Sequence, residues 1–303
     1  MSTDLSTTTI PARPWRMFLV GLGLWIAAVI VTFLTHNPNL IPTVVLLGSF
    51  LVPVTFATWA FARRDTGELT SVLLLRTFVA GGVLGVLAVS VLEAYLLHPS
   101  PWLFGGVGLI EEAVKLGALV LLTRDLRVKT MRDGMILGAA VGFGFSAFES
   151  AGYAFTALFT VDGLSLMQVV QTELLRGLLA PVGHGLWTAI LGGVLFATAR
   201  NNGFTINGKL ILAYLGVSGL HALWDSMHNI ALIVTLLLTE GEQYRPTPNG
   251  WLVQPSPEQV GLFSVLEWTG LGVISVIGIG WLVTLWRRAP RAGRAMWQSP
   301  SPA

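Results

Sequence analysis

Glu111 and Glu112 stand side by side, and Lys115 follows one turn later. On a helix, Glu111–Lys115 is an i,i+4 pair and Glu112–Lys115 an i,i+3 pair, so one ammonium can serve both carboxylates. His221, Asp225 and His228 repeat at i, i+4 and i+7, which makes a single stripe. An Asp one turn from a His can fix its tautomer. Glu149 and His184 add one more acid and one more imidazole. Such groups suit hydrolysis. A carboxylate takes the proton of an attacking water, and an imidazole polarises the scissile carbonyl or protonates the leaving amine. From the residues alone, Glu111 and Glu112 are both candidates for the base. The same types suit a metal: Glu112, His184 and His221 could give zinc three ligands and leave one position open. The HExxH spacing common in zinc proteases is missing, so no metal or other cofactor is expected and zinc is the alternative. The chain has no Cys, which removes thiolate metal sites, iron–sulfur clusters and Cys nucleophiles.

The elements that must position these groups are legible in the composition. The 303 residues are 53% hydrophobic and 11% charged, against about 25% charged in soluble chains. That excludes a soluble globular enzyme, a disordered chain and a collagen-like fibre. Eight apolar runs occupy 17–34, 40–62, 72–97, 101–122, 134–160, 178–199, 210–238 and 260–286. Roughly 20 apolar residues cross a ~30 Å hydrocarbon core. The runs are continuous rather than alternating, so they predict helices, not barrel strands. The expected fold is an all-α integral membrane protein of about eight transmembrane helices, with 17–286 forming one domain. Residues 1–16 read as a disordered tail and 287–303 as a basic tail. Residues 161–177 read as a short surface helix, and 239–259, with four prolines, as an irregular external loop.

Basic residues orient the spans. Fourteen Lys and Arg fall on the side of the two tails, from Arg13 to Arg294, while Arg176 and Arg245 fall on the other. By the positive-inside rule both termini are cytoplasmic. The excess of base faces anionic lipid rather than nucleic acid, which is not an expected partner.

Glu111, Glu112, Lys115, Glu149 and Asp225 then lie inside spans. Each costs about 2.5–3.5 kcal/mol at a helix centre when unpaired. They must therefore face one another, or water, within the bundle. Along their helices, Glu111, Glu149, His184, His221 and Asp225 all fall between the midplane and the outer surface. Gly105, Gly106 and Gly108 precede the Glu pair, and Gly138 and Gly142 precede Glu149, which permits close helix approach. Pro181, Gly183 and Gly185 bracket His184 and predict a bend or a helix start there.

Glu111-Glu112-Ala113-Val114-Lys115 resembles the EExxK motif of the PrsW branch of intramembrane glutamic proteases, relatives of the CAAX-processing and bacteriocin-processing membrane proteases. Phe145-Ser146-Ala147-Phe148-Glu149 is similar to that branch's FxxxE pattern. His221-Ala222-Leu223-Trp224-Asp225 resembles the superfamily's HxxxN/D motif, and His184 sits where the family has another helix-borne His. The resemblance covers about 100–230. The CAAX-processing pattern has Arg after the Glu pair and His in the second motif, so Lys115 and Glu149 favour PrsW and argue against a prenylated substrate. The resemblance implies an endopeptidase of the bacterial plasma membrane acting on a membrane-anchored protein, for example an anti-sigma factor. It points to Glu111 as the base. Lys115 would hold the Glu pair, His221 would act on the scissile bond with Asp225 orienting it, and Glu149 and His184 would position water or substrate. The rival reading is a proton-coupled transporter using the same relay, although inverted repeats are not apparent.

Other groups invite blander readings. Gly216-Val217-Ser218-Gly219 has a rhomboid-like GxSG look, but small residues at that spacing read as helix packing. Glu93 and Arg76, each about one turn from a helix end, read as snorkelling side chains. His228 is open between a core hydrogen bond and a site role.

Overall fold

The computed structural model describes residues 13–200, 203–239 and 255–290. Most of the expected N-terminal tail, the centre of the 239–259 loop and most of the basic tail lie outside the described residues. The elements are α1 (Pro14–Thr35), α2 (Ile41–Phe61), α3 (Ser71–Leu96), α4 (Leu103–Thr123), α5 (Met131–Ala157), β1 (Phe159–Thr160), β2 (Gly163–Leu164), α6 (Leu166–Leu179), α7 (His184–Ala197), α8 (Gly208–Leu238) and α9 (Pro257–Arg288). Among the described residues, seven stretches are long and apolar enough to cross a membrane: α1, Pro38–Phe61, α3, α5, Leu166–Ala197, α8 and α9. The chain is an all-α integral membrane protein. Helix α4 occupies the remaining apolar run, and Glu111, Glu112 and Lys115 are the charges that set it apart from the other seven.

Polar side chains mark where helices begin. Thr70, Thr130 and Ser165 accept from the backbone amides of Leu73, Asp133 and Gln168 at the starts of α3, α5 and α6. Asn207 caps α8, and Ser256 with Gln259 forms a capping box on α9. These bonds satisfy amides that the first helical turn leaves without partners. Several boundaries differ from expectation, and α9 begins inside the expected 239–259 loop and ends inside the expected basic tail. Helix α1 starts at Pro14, inside the expected tail, because Pro suits a first turn. The 161–177 segment is not a lone surface helix: a two-residue hairpin precedes α6, and α6 runs through a 3-10 turn (Ala180–Val182) into α7. Helix α6 packs on α2 and α5 because Val169 and Glu173 are buried, Glu173 accepting from Trp25 Nε1 at 2.8 Å.

Helix α5 is the centre of the bundle and is buried along most of its length. It packs against α2, α3 and α7. Glycines permit this. A Cβ at Gly142 would stand 2.2 Å from the carbonyl oxygen of His184, and one at Gly138 2.2 Å from that of Thr188. Backbone therefore meets backbone between α5 and α7. Leu119, Leu137, Val141, Leu195 and Leu210 form an apolar layer near the ends of the bundle that carry Arg124, Arg127, Lys129 and Arg132. The outward faces of α1 and α9 expose large apolar side chains such as Leu19, Leu34, Val265 and Val276, the pattern of a surface solvated by lipid tails.

Candidate active site

Helices α4, α5, α7 and α8 each bring polar groups to one place. Lys115 Nζ lies 2.9 Å from Glu111 Oε2, 2.8 Å from Glu112 Oε1 and 2.8 Å from His184 Nδ1. An ammonium only donates, so His184 Nδ1 accepts and its Nε2–H is left to donate to Glu149 Oε2 at 3.1 Å. That tautomer follows from the partners on each side of the ring. His221 Nδ1 is 3.0 Å from Glu112 Oε1, and its Nε2 is 3.3 Å from Asp225 Oδ2 and 3.7 Å from Glu111 Oε2. Both nitrogens thus face carboxylate oxygens, so a protonated ring would be satisfied on both sides. Aromatic rings fix the imidazoles. Trp187 packs on His221 with centroids 4.6 Å apart, and Phe145 lies 5.3 Å from His184 and 4.2 Å under Lys115 Nζ.

The cluster forms one wall of a cavity of about 490 Å³. Glu111, Glu149, His184 and Asp225 line it, while Glu112, Lys115 and His221 lie behind that wall and are almost wholly buried. This separates the two adjacent glutamates. Glu111 is 5% exposed and reaches the cavity, whereas Glu112 is 0% exposed and is spent on Lys115 and His221. All seven residues expected from the sequence fall in this one network. Glu111, His184 and His221 also offer ligand atoms within 4.8 Å of one another. The carboxylate in that trio is Glu111 rather than the expected Glu112, because α4 turns Glu112 toward the protein interior.

Two cavity residues escape a reading of the sequence. Arg176 of α6 reads there as a loop charge, but it pairs with Glu149, donates to Ser150 Oγ at 2.7 Å and stacks 4.3 Å over Tyr153. Its one signal is its isolation on the side poor in basic residues. Glu93 reads as snorkelling, yet it lines the cavity from α3, and its buried Oε1 has no hydrogen-bond partner among the described residues. Gly108 seats α4 on the backbone of Ser218, and His228 pairs with Glu267 of α9 at 3.1 Å.

Fold and site together define a polytopic helical membrane protein with a carboxylate–imidazole centre enclosed by its own helices. The chain belongs to the PrsW family: the family model described as PrsW family intramembrane metalloprotease matches residues 69–240, more than half of the chain. Those residues run from just before α3 to the end of α8 and contain the whole network. Searches of curated proteins and of solved structures find no match.

Proposed function

We propose that this chain is an intramembrane endopeptidase that hydrolyses a peptide bond of a membrane-anchored protein, with its catalytic water held on the cavity face of Glu111. The observation that carries this is that Glu111 alone of the buried acid pair faces both the cavity and the two imidazoles. Glu111 takes the water's proton. Lys115 offsets the charge of the glutamate pair and holds Glu111 toward the cavity. The leaving amine takes that proton back from Glu111, and His221, held behind the wall by Asp225 and Glu112, supports the exchange from 3.7 Å behind Glu111 Oε2. Glu149, itself held by Arg176, orients His184. The bundle is read as one domain over 17–286, with eight crossings and both termini on the basic, cytoplasmic side.

The family's description names a metalloprotease, and the site can be tested for fit. Glu111 Oε2 is 3.7 Å from His184 Nδ1 and 3.7 Å from His221 Nε2. Two donors on one tetrahedral zinc at about 2.0–2.1 Å stand about 3.4 Å apart. The opposite nitrogen of each ring meets a carboxylate, Glu149 or Glu112, as is usual behind a metal-bound His. The donor set therefore fits, and Glu111, His184 and His221 would hold the ion. A bound ion would supply Lewis acidity and lower the pKa of its water. The contact that favours the metal-free form is Lys115, whose ammonium already occupies Glu111 Oε2 and His184 Nδ1.

The test is co-expression of single-pass reporter proteins with wild type or Glu111→Gln, blotted for fragments. Wild type is expected to cleave and the variant to lose about 10²-fold or more, the scale of a lost general base. A folded variant that cleaves normally defeats the assignment. If folded wild type cuts nothing in a broad panel, proton uptake into liposomes tests the transporter reading. Chelation of purified enzyme is expected to leave cleavage intact; loss restored by zinc would move the mechanism to the metal form.

A further inference from the structure

A second cleft, of about 500 Å³, opens on the opposite side of α7. Its walls are apolar and come from α2, α5, α7 and α9, with Trp59, Phe143, Leu282 and Trp286 prominent. Arg63 and Arg287 stand at its rim, where α2 and α9 end. The deep end is closed by Pro181 and Gly185, the residues flanking the start of the helix that carries His184. From Ile279 to Arg287 the α9 wall rises about 12 Å at 1.5 Å per residue, close to the ~15 Å of one leaflet's hydrocarbon.

The rim is held in place. Arg63 stacks 3.7 Å over Trp59 and donates to its carbonyl oxygen at 2.8 Å, and Arg132 lies 4.7 Å over Trp286. Arg63 keeps other N–H donors in its fork, a geometry that matches phosphate oxygens. An apolar slot as deep as a leaflet, rimmed by two exposed arginines, fits a molecule with a long hydrocarbon chain and an anionic head. We infer that this cleft binds one anionic phospholipid of the basic-side leaflet, its phosphate between Arg63 and Arg287 and one acyl chain reaching Pro181 and Gly185. The inference stands independently of the proteolytic reading. It also places a lipid tail directly behind the segment that positions His184.

Native mass spectrometry of the full chain, delipidated and then titrated with phosphatidylglycerol or phosphatidylcholine of matched chains, tests it. Wild type is expected to retain phosphatidylglycerol about tenfold or more over phosphatidylcholine, the scale of two arginines facing one anionic headgroup. Arg63→Gln/Arg287→Gln is expected to lose that preference. Arg64→Gln/Arg288→Gln, which removes the same charge from neighbouring arginines that do not line the cleft, is expected to keep it. Ile279→Trp narrows the cleft from its exposed α9 wall two turns away from Arg287 and is expected to abolish the adduct. Thermal melts establish that each variant is folded. Equal retention of the two lipids by wild type, equal loss in both arginine pairs, or a lipid-free dimer that covers the cleft with a second copy would each overturn the inference.

Discussion

Lys115 is a buried cation whose three short contacts end on Glu111, Glu112 and His184. A lysine is among the residues least often found fully buried, and it survives here because each donor has an acceptor and two of those acceptors are carboxylates. Removing it would leave two carboxylates and an imidazole facing one another in a low-dielectric interior. Lys115→Met matches its bulk and deletes its charge. It is expected to destabilise the protein by about 3–5 kcal/mol, the cost of breaking a buried ion pair from one side. Thermal denaturation in detergent, followed by circular dichroism, reads this directly. An unchanged midpoint would show that Lys115 does not hold the pair. The neighbouring choice between Glu111 and Glu112 is also decided at single-residue scale. They differ by one position in sequence, and only Glu111 has a surface on the cavity.

At the scale of helices, the site depends on how closely α5 and α7 approach. His184 is the first residue of α7, where Pro181 and Gly183 interrupt the α6–α7 path. Its ring meets Lys115 and Glu149 only because Gly142 lets the His184 backbone lie against α5. A methyl group at Gly142 would meet backbone atoms that cannot rotate away, so α7 must shift. Gly142→Ala is expected to reduce reporter cleavage by about 10²-fold, as about 1 Å of misplacement does in preorganised sites. Far-ultraviolet circular dichroism should remain that of wild type. Full activity in this variant would mean that the α5–α7 contact does not position His184.

At the scale of the whole molecule, the position of the cavity carries the proposal that substrate enters from the side away from the basic loops. The cavity is lined by the last turns of α3, the first turns of α4 and the end of α6, all remote from the ends that carry Arg63, Arg124, Arg127 and Arg287. The apolar layer around Leu119, Leu137 and Leu195 separates the site from those ends. Reporters whose cleavable segment lies near the face opposite the basic loops should be cut, and the same segment moved to the basic face should not. Fragment mapping by mass spectrometry decides this, and cleavage confined to the basic face would reverse the proposed access.

Composition and the length and continuity of the apolar runs are enough to determine a helical membrane protein, because hydrocarbon tolerates only helices and closed barrels, and barrel strands would alternate. Charges inside those runs mark Glu111, Glu112, Lys115, Glu149 and Asp225, because an unpaired charge in lipid is costly enough to signal a purpose. The spacing of Glu111 to Lys115 and of His221 to Asp225 suffices to place each pair on one helical face. What lies between helices is not legible in the sequence. It holds no distance from Lys115 to His184 or from Glu112 to His221, which are 69 and 109 residues apart. Arg176 and Glu93 look like peripheral charges, and only the packing of α6 and α3 around the cavity turns them inward. The division of labour between Glu111 and Glu112 likewise arises from tertiary structure. Helical periodicity gives two adjacent residues nearly the same depth, and only the neighbouring helices decide which one meets the cavity and which is sealed against Lys115.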